Sequence, residues 1–328
     1  MTSAIVRTVA VLIATLLITV GCGRPDSEPT STPGTGSGAT FPRTVTHAMG
    51  STEIPAEPTR IVALDQTFVD AALALDTAVV GFTDVRGSGG ETPPYLAEPM
   101  ARLAADARSV GELSNPSLEQ IAALRPDLIV SSKIRDEDIY DELSQIAPTV
   151  FSEATGAIWK DNLRLMAQAI GKEDLAQTRL AEYEQRARAI GDAIRAVEGK
   201  NPTITVIRFS DMQTRLYQLA SFSGIVLADV GLARPPSQNV DKFATEFSQE
   251  RILDADADHI FLTVAEGDSA PVRDRFTSNP LWSRLTGQTH EVSNDVWIVG
   301  VGLLAAHVVL DDLAETFGVD PVTAMKPR

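Results

Sequence analysis

Arg86, Arg208 and Arg215, with Trp159, Tyr217 and Trp297, are the side chains whose types and positions suit ligand recognition. Arg86 sits in a Gly-rich loop after the apolar run at residues 79–82. Arg208 lies near the end of the β-branched run Thr203–Phe209, and Arg215 and Tyr217 follow it in a predicted hairpin. Trp159 precedes a long helical stretch, and Trp297 lies in the apolar run Asp295–Val299. A guanidinium gives planar, charge-assisted hydrogen bonds to oxygen atoms. Aromatic rings pack apolar surface and add about 0.5–2 kcal/mol when a cation sits over them. Such a set recognises an oxygen-rich small molecule with apolar parts. The plainer alternative is a solvated side chain for each arginine and a place in the core for each tryptophan.

Other chemistries lack their residues. Cys22 is the single cysteine in 328 residues, and the histidines at 47, 259, 290 and 307 show no metal-ligand spacing. That excludes a disulfide framework and a multi-cysteine zinc or iron–sulfur site. No Ser/His/Asp or Cys/His arrangement falls at a recognisable spacing. No catalytic residue, metal ligand or resident cofactor is therefore expected, and the chain reads as a non-enzyme. His307 lies in the apolar helical stretch Gly302–Leu313 and reads as packed, although a haem-binding protein would use such a residue. Gly300-Val-Gly302-Leu-Leu-Ala305 matches the G-x-G-x-x-A dinucleotide pattern, but too little chain follows for a second strand and its ribose-binding acid about 20 residues on. The glycines read instead as permitting a tight turn at a pocket. With 28 Lys+Arg against 44 Asp+Glu, a net charge of −16 and no basic stripe, the chain is unsuited to neutralising nucleic-acid phosphates.

One pattern occurs twice. Ser117-x-Glu119-x-Ile121 precedes Asp127-x-Ile129, and Ser248-x-Glu250-x-Ile252 precedes Asp258-x-Ile260, with identical offsets. Each Ser is a natural helix N-cap, each Glu sits in the first turn, and each Asp opens a strand. The helix dipole alone explains one such Glu, at about 0.3–1 kcal/mol. Two at matching places put one exposed acid on each half of the molecule. They are too far apart for a glycosidase pair, which needs carboxyls about 5–9.5 Å apart, but suit docking to a two-fold partner with two basic patches.

These residues must be positioned by α/β elements. Thr59–Leu64, Val79–Phe82 and Asp127–Ser131 read as short buried strands, with helical patterns at Phe68–Leu75 and Ser117–Leu124 between them. A second half repeats the alternation with strands at Thr203–Phe209, Asp258–Thr263 and Asp295–Val299, and helices near Ser223–Val230, Ser248–Leu253 and Leu303–Phe317. Alternating strands and helices imply parallel sheets covered on both faces, and ligands then sit beyond the strands' carboxyl ends. Between the halves, apolar residues at 175, 176, 180, 183, 187, 190 and 194 mark a helix about 39 Å long at 1.5 Å per residue. The fold class is thus α/β: two Rossmann-like α/β lobes joined by one long helix, with a ligand cleft between them. A stiff single-helix connection predicts small hinge changes on closure.

The N-terminus reads as an address. Arg7 precedes an apolar run, Val9–Val20, too short to span a bilayer but suited to a signal peptide. It ends at Gly21-Cys22-Gly23, which resembles a bacterial lipoprotein signal cut before a lipidated cysteine, with Thr19 where that pattern prefers an aliphatic residue. The Pro/Ser/Thr/Gly-rich stretch that follows reads as a tether. The expected organisation is a signal peptide at 1–21, a tether at 22–40, an N-terminal lobe at 41–171, the connecting helix at 172–198 and a C-terminal lobe at 199–328.

A lipoprotein signal, two α/β lobes, one connecting helix and the doubled Ser-x-Glu…Asp-x-Ile motif together resemble the periplasmic-binding-protein class of iron–siderophore, haem and vitamin B12 importers. Arg60–Leu64, the run Ser117–Ile129, Phe222-Ser-Gly and Gly231-Leu-Ala-Arg-Pro235 resemble its ferric-siderophore branch. The resemblance implies a monomeric, membrane-anchored, extracytoplasmic protein that delivers a ferric siderophore to ABC permease subunits. Glu119 and Glu250 would meet permease arginines. Arg86, Trp159, Arg208, Arg215, Tyr217 and Trp297 would face a cargo that brings its iron already chelated. Haem and cobalamin-like cargoes remain open, as does an exported enzyme or surface interaction protein on this fold.

Overall fold

A computed structural model describes residues 40–84 and 92–323. The expected signal peptide, Cys22, Arg86 and all but the last tether residue lie outside the described residues. The chain enters through a hairpin, β1 (Arg43–His47) and β2 (Gly50–Ile54). Then come β3 (Ile61–Ala63), α1 (Gln66–Ala74), β4 (Val79–Asp84), α2 (Ala97–Leu103), β5 (Arg108–Glu112), β6 (Asn115–Pro116), α3 (Leu118–Ala123) and β7 (Leu128–Ser132). The lobe closes with α4 (Lys133–Asp136), α5 (Tyr140–Ile146), β8 (Thr149–Ser152) and α6 (Trp159–Ile170). Its sheet has the order β6-β5-β4-β3-β7-β8, parallel except at β6.

The predicted strands form because each is buried on both faces. Ile61 and Ala63 point to one core and Val62 and Leu64 to the other, the two-residue alternation of a strand. Their neighbours continue it: Leu128 and Val130 join the first core, Ile129 and Phe151 the second.

The connecting helix, α7, runs Glu173–Glu198, one residue from the expected bounds at its start. Its first turn is fixed by Lys172, whose Nζ donates to the Leu75 and Asp76 carbonyls at 2.7 and 3.0 Å. Arg179 reaches the Ala74 carbonyl. Those are the carbonyls left unpaired at the end of α1. Gly191 is required by packing: a Cβ there would lie 1.8 Å from the Val230 carbonyl oxygen.

The C-terminal lobe holds β9 (Ile204–Phe209), β10 (Arg215–Tyr217), α8 (Phe222–Val230), β11 (Ala244–Glu246), β12 (His259–Val264), α9 (Ala270–Thr277), β13 (Gln288–Glu291) and α10 (Leu303–Phe317). The sheet order is β11-β10-β9-β12-β13. It departs from the expected parallel sheet: β9, β12 and β13 are parallel, but β10 and β11 are antiparallel. The connection from β9 to β10 is too short for a helical crossover and closes as a hairpin. A second departure is Asp295–Val299, expected as a strand. Gly300 N donates to the Asp295 carbonyl at 2.7 Å, and the five residues form a π-helical turn.

Both sheets share one layer of helices. α10 packs on α7 and α8 and also returns to α1 and α6 of the first lobe. The fully buried Arg186 of α7 binds the His307 carbonyl at 2.9 Å, its Nδ1 at 3.0 Å and the Pro321 carbonyl at 2.8 Å. His307 is therefore a packed residue, as its apolar setting predicts. The described residues form one compact unit.

Candidate ligand-binding cleft

In the first lobe the chain leaves β3 for β4 and β5 on one side and returns to β7 and β8 on the other. The carboxyl ends of β3 and β7 are thus a topological switch point, where open α/β sheets bind ligands. Asp65 stands there. Its Oδ1 accepts from Thr67 N at 3.0 Å and caps α1, and its Oδ2 accepts from Arg135 Nε at 3.0 Å. Behind them Ser131 donates to Asp136. Burial raises the Asp136 carboxyl to about 6, the Ser131 hydrogen bond opposes that, and the Asp65 charge adds to it. Gln66 Oε1, Thr83 Oγ1, Asp84 Oδ1 and Ser132 Oγ are buried at the same strand ends without a hydrogen-bond partner among the described residues. Buried polar atoms are normally satisfied, which singles out these four at the strand ends.

In the second lobe a cavity of about 250 Å³ lies beyond the carboxyl ends of β9 and β12. Arg208, Asp211, Met212, Glu266, Asn294 and Asp295 are among its lining residues. Arg208 Nε donates to Asn294 Oδ1 at 2.9 Å. Arg215 pairs with Arg208 across the β9–β10 ladder, and its Nε donates to Gln213 Oε1 at 2.6 Å. Among the described residues, neither arginine has a carboxylate within 4.0 Å. The cavity walls come from the C-terminal lobe alone. Its volume is just under the range of about 300–1,000 Å³ usual for ligand sites.

The lobes meet where Tyr95, after β4, lies against Gly300. Here the G-x-G-x-x-A run finds its reason. Asp70 of α1, fully buried, accepts from Leu304 N and Ala305 N at 3.0 Å each. A Cβ on Gly302 would lie 2.3 Å from the Asp70 carboxylate. The helix N-terminus that holds phosphate in dinucleotide folds is filled by a carboxylate from the other lobe. Burial raises Asp70 to about 6 against the pull of these N–H groups. Tyr95 Oη is buried without a well-formed hydrogen bond, and burial with the nearby Asp70 charge pushes its phenol above the ordinary range.

Of the predicted cargo residues, Arg208 and Arg215 lie together at the strand ends. Arg86 lies outside the described residues. The three aromatic expectations are corrected: Trp159, Tyr217 and Trp297 are core residues, 1%, 2% and 0% exposed. Trp159 meets Tyr183 and Phe222 edge-on. Tyr217 sits one residue pair deeper than Arg215 and packs on Phe243. The π-helical turn swings Trp297 inward, where it stacks on Phe261 at 4.7 Å and donates to Asp312 at 2.7 Å. Asp65 and Arg135 fall in the segments just after predicted strands, where the strand-end argument places a ligand. Sequence reasoning missed Asn294 and Asp70, and Asn294 was hidden by the strand expected after it.

Glu119 and Glu250 are both exposed. Each lies in the segment that crosses back over its sheet before the strand opened by Asp127 or Asp258, and so toward the carboxyl-end edge. A hydrogen bond from the Ser248 hydroxyl holds the Glu250 carboxyl below its ordinary range.

Residues 61–290 match the family described as periplasmic binding protein. The probable siderophore-binding lipoprotein YfiY of Bacillus subtilis (strain 168) is 37% identical over 291 residues, 84% of this chain and 87% of that protein. The Fe(3+) dicitrate-binding periplasmic protein FecB of Escherichia coli (strain K12) is 28% identical, over 87% of this chain and 94% of its own. The crystal structure of Staphylococcus aureus SirA complexed with staphyloferrin B superposes with a TM-score of 0.77 at 30% identity, covering 85% of this chain and 99% of that one. With two sheet-bearing lobes, a cavity at the strand ends of the second and a family match over most of its length, this chain belongs to the periplasmic binding protein family.

Proposed function

We propose that the protein captures a ferric siderophore between its lobes and delivers it to an ABC importer at the outer face of the cell membrane. The observation that carries this reading is Arg208, a guanidinium lining a strand-end cavity with no carboxylate partner among the described residues. A ferric siderophore supplies all of iron's oxygen ligands itself. The protein then needs only to recognise the oxygen shell, which a guanidinium does directly. Among the described residues no group of three His, Cys, Asp or Glu side chains could hold a bare metal ion. The relatives named for siderophores and ferric citrate support the same cargo class. They are binding proteins, and on this reading the chain turns over no substrate.

On this reading a lipid on Cys22 holds the protein to the membrane as a monomer, and Glu119 and Glu250 dock to the permease. Exposed ion pairs contribute only about 0–1 kcal/mol each, which suits reversible docking. Titration calorimetry of the full chain with ferric citrate, a ferric trihydroxamate, a ferric triscatecholate and haemin tests the cargo. Binding of at least one iron chelate and not of haemin is the expected result; binding of haemin alone, or of none, overturns it. The Glu119→Ala/Glu250→Ala double variant is expected to keep cargo affinity and abolish uptake. A fall in affinity would move the acids into the cleft.

A further inference from the structure

β8 is the last strand of the first lobe's sheet, with β7 on its inner side. The outer edge of such a strand leaves main-chain N–H and C=O groups open to any extended chain, and folds cover or blunt it. Here the β1–β2 hairpin covers it, largely with side chains. Ala48 N donates to the Phe151 carbonyl at 2.9 Å. The Thr149 carbonyl accepts from Thr52 Oγ1 at 2.7 Å, and Phe151 N donates to His47 Nδ1 at 3.3 Å. The same Nδ1 accepts from Met49 N, in the hairpin's own turn, at 3.2 Å. His47 Nε2 lies 2.9 Å from Thr52 Oγ1. These bonds admit one arrangement of protons. Nδ1 accepts twice and carries no hydrogen, Nε2 donates to Thr52, and the Thr52 hydroxyl donates onward to Thr149.

We infer that the β1–β2 hairpin is an acid-released cover on the outer edge of β8, with the His47 imidazole as its latch. A proton on Nδ1 replaces the shared acceptor with a donor facing two N–H groups, so both bonds are lost together and Phe151 N is left open. Burial holds the imidazole below its ordinary range. The latch is therefore complete at neutral pH and is lost as pH falls through that lowered value. Among the described residues no carboxylate comes within 4.0 Å of the ring to favour its charged form. α5 brings Tyr140 to it, ring centroids 5.9 Å apart, while Asp141 and Glu142 of that helix are exposed. Glu153, just beyond β8, pairs with Lys133. On the hairpin itself, Glu53 is exposed opposite Thr44, and Arg43 is engaged by Glu173 of α7 and the Gln168 carbonyl of α6.

The test is amide hydrogen exchange of the full chain at about pH 7.5 and about pH 4.5, read residue by residue and corrected for the intrinsic pH dependence. In the intact protein, protection of the Phe151 and Met49 amides is expected to fall about ten-fold or more on acidification. Ile129 N, which donates to the Pro148 carbonyl on the inner side of β8, is expected to keep its protection. His47→Asn offers an Oδ1 acceptor in place of Nδ1 but takes up no proton in this range, and should hold both amides within about three-fold across the two conditions. His47→Phe removes the acceptor and should leave Phe151 unprotected at both; if it does not fold, His47→Asn still decides. Asp70 and Asp136, raised by burial to about 6, titrate in the same window and are intact in His47→Asn, so a general loosening in acid would appear in both proteins alike. Unchanged protection of Phe151 in the intact protein, or an equal fall in His47→Asn, overturns the inference.

Discussion

The strand pairs β3/β7 and β9/β12 are built alike at one edge and differently at the other. At the amino-terminal edge the match is close. Asp127 accepts from Thr59 N and Oγ1 at 2.9 Å each and from Arg60 N at 2.8 Å. Asp258 accepts from Thr203 N and Oγ1 at 2.8 and 2.9 Å, and from Lys200. At the carboxyl edge β3 runs into α1, which carries Asp65 to the cleft and Asp70 to α10, whereas β9 runs into a hairpin that presents Arg215 beside Arg208. The edge that only holds strands together keeps one solution. The carboxyl edge divides the work: the first lobe fastens the two halves through Asp70, and the second sets Arg208 beside Arg215.

The segments carrying the repeated glutamates diverge as well. Glu119 lies on a regular α-helix whose cap is Ser117, accepting from Gln120 N at 3.3 Å. Glu250 lies on a 3₁₀ segment, Gln249–Ala255, kinked at Arg251. Ala122 and Ala123 favour helix in the first copy. Asp254 and Asp256 disfavour it in the second, because acids near a helix C-terminus oppose its dipole; here Asp254 bonds locally to Arg251 and Asp256 accepts from the distant Thr286 N.

The sharpest way to break the contrast is at the fastening itself. Gly302→Ala drives a methyl group into the Asp70 carboxylate and is expected to destabilise the protein by about 3 kcal/mol or more, read as a lower urea midpoint; an unchanged midpoint would show that the lobes do not depend on this contact. The acids of the two lobes should also respond to pH with opposite signs. Asp70 sits at about 6 when folded and near 3.8 otherwise, so its ionisation costs stability as pH rises from about 4 through 6, by about 3 kcal/mol at 1.36 kcal/mol per unit. The intact protein should gain on Asp70→Asn between pH 7 and pH 4.5; parallel profiles would contradict this. Asp258 is held at about 2, chiefly by Lys200 and then by the Thr203 backbone. Its contribution is full above about pH 4 and is lost as pH falls through 2, so the advantage over Asp258→Asn should vanish there.

Substitution of the two matched clamps comes next in size. Asp127→Ala and Asp258→Ala should each cost about 2 kcal/mol in urea unfolding, and a loss confined to one lobe would end the claim of equivalence. The smallest difference lies at the caps. Ser117→Ala is expected to cost about 1 kcal/mol and Ser248→Ala less, because Ser248 makes no side-chain cap to the backbone. Equal costs would mean that the two serines do the same job.

Much of this frame was legible because buried parallel strands read as unbroken apolar runs and the connecting helix carries its own period. Asp295–Val299 was misread for the same reason: five apolar-rich residues do not distinguish a strand from a helical turn, and the bond that decides it comes from Gly300. The rings of Trp159, Tyr217 and Trp297 have the chemistry of either a core or a cleft, and partners distant in sequence chose the core. Gly300 and Gly302 were visible as a signal, but their reason, Asp70, stands 234 residues before Leu304. Arg208 and Arg215 were legible as strand-end cations, while Asn294 and Gln213, which aim them, carry no pattern of their own.

The nine residues of α1 are pinned along their whole length. Asp65 caps the helix start, Asp70 grips α10, and Lys172, just before α7, and Arg179 within it hold its final carbonyls. Any swing of the second lobe therefore strains the same short rod that Asp65 caps, so movement between the lobes and the geometry of the Asp65–Arg135 ion pair are mechanically linked.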